Sequence, residues 1–364
     1  MQTSAESPDK PEKALRVVAI GGGTGLSTLL RGFKRYVATP DRRRGIRIDS
    51  PVPSSASATP CPTLPCIIRD LSAVVTVTDD GGSSGRLRED FKMLPPGDVR
   101  NCMVALSEDE HLLSQLFQFR FGQGELEGHS FGNLFVAALS HITGDFAQAV
   151  QMSSQILATR GRIFPATNSN VSLAALMDDG SHVHGETSIT ASKKRIVELM
   201  LEPDTAKPLP ETLHAIAEAD LITLGPGSLY TSLITNLLVR GIPEAIAHSS
   251  ATRVYICNLM TQANESLGLS ASQHIEKILD HAGTQIFDYA LINTAPIGTE
   301  TLARYASEGQ TPILADLERI RSLGVEPITG NFVHEGEVLR HSYDVLAETI
   351  LQLALTQSPA TLSS

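Results

Sequence analysis

ALRVVAIGGGTGLSTLLRGF, residues 14–33, decides the fold. Its first seven residues, Ala14 to Ile20, form an apolar, β-branched run of the kind that makes a strand buried on both faces. Gly21-Gly22-Gly23-Thr24-Gly25 follows, and Leu26, Leu29, Leu30 and Phe33 then recur at helical spacing. Strand, glycine turn and helix in direct succession predict a Rossmann-like α/β fold, an open and mainly parallel sheet flanked by helices. Glycines let the backbone turn tightly and leave amides bare at a helix start, where the partial positive charge favours an anion.

The pattern recurs. LSAVVTVT (71–78) runs into Asp79-Asp80-Gly81-Gly82-Ser83-Ser84-Gly85, and DLITL (220–224) runs into Gly225-Pro226-Gly227-Ser228-Leu229-Tyr230. Strands ending in such loops predict one crevice bordered by their carboxyl ends. A further strand, RVYIC (253–257), leads into Asn258-Leu259-Met260-Thr261, another follows at 289–293, and a helix from about Tyr343 to Leu355 closes the domain. Residues 1–14 and 356–364 read as tails around one α/β domain at 15–355. Within it, 38–67 is a proline- and serine-rich irregular insertion, and 162–205 is a small β-rich lobe.

The loops constrain the chemistry. The first reads Gly21-x-Gly23-x-x-Leu26, so Leu26 stands where the dinucleotide fingerprint has its third glycine, and no Gly-Lys-Ser/Thr follows as in a P-loop. An NAD-linked oxidoreductase therefore ranks below other nucleotide binders; a tight buried turn is the plain alternative. Asp79 and Asp80 are the candidate magnesium pair, or acceptors for sugar hydroxyls, with Ser83, Ser84 and the glycine amides suited to phosphate. A surface Asx turn is the alternative there.

Asp98, after Pro95-Pro96-Gly97, reads as a helix cap, and Arg100 as a partner for phosphate, Asp98 or Asp79. His129, Ser130 and Asn133 open a helix as a polar cluster, with capping by His129 the simpler role. Ser228 is expected at the N-cap of the third loop, and Asn258 and Thr261 near a base or sugar. Asn168, Ser169 and Asn170 form a patch with no assignable job. His182-x-His184 reads as a hairpin rather than a metal site, and no Gly-x-Ser-x-Gly elbow or activated cysteine offers a nucleophile.

Composition narrows the classes. The excess of 40 Asp and Glu over 29 Lys and Arg argues against a general nucleic-acid binder, which needs a basic stripe. Arg42, Arg43, Arg44 and Arg47 are compact but sit in the irregular insertion and read as a solvated loop. Cys61, Cys66, Cys102 and Cys257 form no disulfide framework, and the Cys61–Cys66 pair lacks a second pair for zinc. No apolar stretch is long enough to span a bilayer and the N-terminus has no signal core, so the expected location is the cytoplasm.

Five motifs in order are carried by one known family: IGGGTGLSTLLRG (20–32), TVTDDGGSSGRLR (76–88), PPGDVRNCMVAL (95–106), HSFGNL (129–134) and LGPGSLYTSLI (224–234). Together they resemble the gluconeogenesis factor family, the YvcK-like proteins related to the phospholactate transferase of deazaflavin cofactor synthesis. The resemblance implies a cytoplasmic, regulatory protein needed for cell shape and for growth on gluconeogenic carbon sources. It also implies binding of a UDP-sugar, UDP-N-acetylglucosamine or UDP-glucose, without an assigned reaction.

Carried onto this chain, the resemblance places Gly22, Gly23, Thr24 and Leu26 along the nucleotide or diphosphate. Asp79, Ser83 and Ser84 then face the cleft with Asn133 on its rim, Gly225, Gly227 and Ser228 complete the anion site, and Asn258 lies near base or sugar. Asp79-Asp80 resembles the metal-bearing loop of the related transferase, which makes a magnesium-dependent phospholactyl transferase the alternative. The expected partners are the nucleotide sugar, cell-envelope regulatory proteins and a second copy of the chain in a homodimer.

Overall fold

The computed structural model describes residues 14–38, 67–108, 112–192, 194–263 and 265–356. Arg42, Arg43, Arg44, Arg47, Cys61 and Cys66 of the insertion lie outside the described residues, as do 1–13 and 357–364. In chain order the strands are β1 (Leu15–Gly21), β2 (Ile68–Val75), β3 (Arg162–Pro165), β4 (Ser172–Met177), β5 (His182–His184) and β6 (Ile196–Glu202). Then come β7 (Leu221–Leu224), β8 (Thr252–Ile256), β9 (Tyr289–Asn293), β10 (Glu326–Gly330), β11 (Val333–His334) and β12 (Arg340–His341).

Seven strands form one sheet in the order β10-β9-β8-β7-β1-β2-β3, and every pairing in it is parallel. This is the Rossmann-like α/β architecture expected from residues 14–33. The central strand β1 buries Leu15, Val17, Ala19 and Ile20 almost completely, because parallel crossovers cover both of its faces with helices. Helix Gly23–Lys34 makes the first crossover and packs on helices Gly97–Leu106 and Tyr343–Thr356.

The order of the sheet fixes where a ligand belongs. From β1 the chain winds outward through β2 to β3, then returns to the other side of β1 and winds outward through β7, β8, β9 and β10. Winding reverses between β1 and β7, and in open α/β sheets the crevice beyond the strand ends at such a reversal is the ligand site. The first and third glycine loops leave these two strands.

β3 is the edge of the main sheet, so the separate three-stranded antiparallel sheet begins only at Ser172, with order β5-β4-β6. His182 and His184 lie on β5 in a hairpin with β4, and His184 Nδ1 is 3.1 Å from Glu202 Oε2. β11 and β12 form a short antiparallel hairpin. No helix among the described residues is long and apolar enough to cross a membrane.

Candidate functional site

At the reversal point, the Gly22–Gly25 turn and the Gly225–Ser228 turn press against one another. A Cβ on Gly25 would stand 2.2 Å from the Pro226 carbonyl oxygen, so only glycine permits this approach. Above the two turns is a cavity of about 400 Å³. Thr24 is exposed within it, and the first turn of helix Gly23–Lys34 opens toward it. Asn258, just past β8, ties the floor together. Its Oδ1 accepts from the Gly227 amide at 3.4 Å, its Nδ2 donates to Gln262 Oε1 at 3.3 Å, and Gln262 Nε2 donates to Ser228 Oγ at 2.9 Å.

The opposite wall comes from the last third of the chain: Tyr305, Gln310, Leu339, Arg340 and His341. The Tyr305 hydroxyl accepts from the Leu339 amide at 3.1 Å, which fixes the ring beside the cavity. His341 Nε2 lies 3.1 Å from the Cys257 carbonyl, and enclosure lowers its pKa to about 4, so the neutral ring donates there. Arg340 is exposed, and its guanidinium has no ion-pair or hydrogen-bond partner among the described residues. The cavity therefore joins open helix-start amides, a free cation, an aromatic ring and three side-chain amides.

Of the residues singled out in the sequence, Gly22, Gly23, Thr24, Gly227, Ser228, Asn258 and Thr261 line this cavity. Gly225 belongs to the same turn without lining it. Leu26 departs from the expectation: its side chain is fully buried and packs in the hydrophobic core, so it anchors the helix instead of meeting a ligand. Ser228 occupies the N-cap position of turn Leu229–Ile234, yet makes no side-chain capping bond and serves Gln262 instead.

Asp79, Asp80, Ser83, Ser84 and Asn133 are not in this cavity. They occupy a neighbouring compartment beyond β2, joined to the glycine turn through one bond. Asp98 Oδ2 accepts from the Gly23 amide at 2.7 Å, so Asp98 occupies an amide of the glycine turn and does not cap its own helix. Burial lifts the Asp98 carboxyl to about 6; the Gly23 bond opposes the shift, and the charge of Asp79 adds to it. Glu186, from the small lobe, is raised further, to about 9, by burial and then by Asp79, Asp98 and Glu265. Thr78 Oγ1 donates to it at 3.2 Å.

Within that compartment Ser83 Oγ meets His129 Nδ1 at 3.1 Å and accepts from Asn133 Nδ2 at 3.1 Å. Ser130, not His129, caps helix Phe131–Thr143 by accepting from the Asn133 amide. Arg100 Nη2 donates to Asn101 Oδ1 at 2.7 Å, so this contact takes the place of a bridge to Asp98 or Asp79.

The residues do not fit a magnesium ion held by Asp79 and Asp80 together. Asp79 Oδ1 accepts from the Gly81 amide at 2.9 Å, and its Oδ2 faces Gly97. Asp80 Oδ1 accepts from Thr187 N at 2.8 Å and from Thr187 Oγ1 at 2.5 Å, while its Oδ2 lies against Gly185. The two carboxylates thus serve different neighbours. Among the described residues no group of three His, Cys, Asp or Glu is placed to hold a metal ion.

The family model described as 2-phospho-L-lactate transferase CofD matches residues 17–333. The chain is 46% identical over 342 residues to the gluconeogenesis factor of Halalkalibacterium halodurans, covering 93% of this chain and 97% of that one. The chain belongs to the CofD family, on its gluconeogenesis-factor branch. The gluconeogenesis factor of Bacillus subtilis is 42% identical over 340 residues, covering 93% of this chain and 98% of that one. A crystal structure of a UPF0052 family protein from Bacillus halodurans superposes with a TM-score of 0.83 at 46% identity, covering 93% of this chain and 99% of that one.

Tyr305, Gln310, Arg340 and His341 were not visible in the sequence as site residues. They lie outside every glycine motif, and only the β11–β12 hairpin brings the last two over the cavity.

Proposed function

We propose that the protein acts as a gluconeogenesis factor that binds a UDP-sugar, UDP-N-acetylglucosamine or UDP-glucose, at the β1–β7 reversal point. Its role is in cell shape and in growth on gluconeogenic carbon sources, in the cytoplasm. The observation that carries this reading is the pairing of an unpartnered Arg340 with the open first turn of helix Gly23–Lys34 across one cavity. Both are sources of positive potential suited to a diphosphate. Tyr305 offers a flat face for the base, and Asn258, Gln262 and Gln310 supply amides for the edge of a uracil or for sugar hydroxyls.

Binding without turnover is favoured because, among the described residues, the cavity has no nucleophile aligned with a base, and the histidine lining it, His341, donates to a backbone carbonyl. Titration calorimetry tests the reading directly: UDP-N-acetylglucosamine binds and is recovered intact. An absence of binding heat at millimolar ligand would remove it.

The second reading is transfer of a phospholactyl group, supported by the match to the CofD family model over residues 17–333. Mass spectrometry of candidate donors and acceptors incubated with the protein decides it. Under this reading a product forms and is lost in Asp79→Asn; unchanged donors and acceptors leave the binding role.

A further inference from the structure

A second cavity, of about 310 Å³, lies between the small antiparallel sheet and helix Ala271–Ala282, and it shares no lining residue with the cavity at the reversal point. Arg195, immediately before β6, lines the sheet side, and Lys277 lines the helix side. Neither has an ion-pair partner among the described residues, in a chain whose acidic residues outnumber its basic ones. Lys194 also lines the cavity but is bound to Asp179 at 2.7 Å.

The inner surface carries Tyr230 and Glu265. The Tyr230 ring is buried, and the residue lines the cavity with a hydroxyl that makes no hydrogen bond among the described residues. Burial, followed by the nearby Glu265, pushes Tyr230 up to about 12, so at neutral pH it is a hydrogen-bond donor.

Glu265 does not neutralise the two cations. Its carboxylate is turned to the backbone of the neighbouring turn, accepting from the Tyr230 amide at 3.3 Å and from Thr231 Oγ1 at 3.0 Å. Asp178, on the rim, is exposed and suited to accept from hydroxyl groups. The volume sits at the lower end of the range of about 300–1,000 Å³ for small-molecule sites, a monosaccharide-sized space.

We propose that this cavity is a second binding site, for a phosphate monoester of a small polyol. Arg195, Lys277 and the Tyr230 hydroxyl donate to the phosphate, and Asp178 accepts from a polyol hydroxyl. Two free cations and a neutral donor on one small cavity match a phosphate's acceptor-only oxygens, and the acidic rim favours a ligand that also carries hydroxyls.

The test is calorimetric titration of the full chain with a hexose monophosphate, with inorganic phosphate and with the unphosphorylated hexose. The monophosphate saturates a site, inorganic phosphate binds it more weakly, and the free hexose does not bind. Lys277→Met and Arg195→Gln each weaken monophosphate binding by about tenfold or more, the loss of one charge-assisted hydrogen bond. Tyr230→Phe, which keeps the ring, weakens it by a smaller factor. Thr24→Trp, which crowds the cavity at the reversal point, leaves it unchanged, so this site and the UDP-sugar site fail or stand separately. The proposal is overturned if the monophosphate does not saturate, or if inorganic phosphate binds as tightly. It is also overturned if Thr24→Trp abolishes binding, or if Lys277→Met and Arg195→Gln bind as the wild type does while melting at its temperature.

Discussion

Two polar compartments sit side by side at the carboxyl ends of β1, β2 and β7, and they use the same residue types to opposite ends. In the carboxylate compartment beyond β2, Asp98 is held by the Gly23 amide, Asp80 by Thr187, Asp79 by Gly81, and Ser83 by His129 and Asn133. Most of its groups are committed to one another, although Asn133 Oδ1 and Arg100 Nε are buried there with no hydrogen-bond partner among the described residues. In the cavity between β1 and β7, the helix start is open and Arg340 is unpaired. Polar density alone does not mark an anion site; an open helix start facing an unpaired cation does.

The sharpest way to break the contrast is to separate the two glycine turns. Gly25→Val puts side-chain atoms into the Pro226 carbonyl, and we expect a loss of stability of roughly 3 kcal/mol or more, read by chemical denaturation. Wild-type stability would mean that the close approach of the turns is not built into the fold.

Next in size is Arg340→Ala. Losing a charged partner to the diphosphate should weaken UDP-sugar binding by roughly 30-fold, with little change in melting temperature because the side chain is exposed. Tyr305→Leu removes base stacking and should cost about tenfold in the same titration. Equal affinities in both variants would place the nucleotide elsewhere.

A pH-dependent effect separates the compartments. The folded-state pKa of Asp98, about 6, is raised above its ordinary value near 3.8, so the folded protein holds this proton more tightly than the unfolded chain. The resulting cost to stability is absent below the unfolded value, grows as pH rises from there through the folded value, and is complete above it. Asp98→Asn removes that cost and keeps an oxygen to accept from Gly23. The variant should gain on the order of 2 kcal/mol over wild type at pH 8 and almost nothing at pH 4. A gain independent of pH would contradict the assignment. Asp80→Asn, whose carboxylate serves Thr187, is the smallest case: UDP-sugar affinity should change by less than about twofold.

Much of this was legible in residues 14–33 and in the loops that repeat their pattern. Alternation of apolar runs with glycine turns gives the parallel sheet, and the ends of its strands give the crevice. What the sequence could not convey is which way a side chain leaves its loop. Asp79 and Asp80 are adjacent in sequence, but their carboxylates serve different neighbours because a lobe more than ninety residues later supplies Thr187 to one of them. Leu26 stands in a nucleotide-loop position yet belongs to the helix's apolar face. Tyr305 and Arg340 carry no local signature, since their roles depend on a hairpin folding back over β7 and β8.

The most direct measurement is a crystal structure of the full chain with UDP-N-acetylglucosamine. The account predicts diphosphate oxygens within hydrogen-bonding distance of the amides at Thr24 and Gly25 and of the Arg340 guanidinium, with the uracil ring against Tyr305. A diphosphate seated instead among Asp79, Ser83 and Asn133, beyond β2, would contradict it.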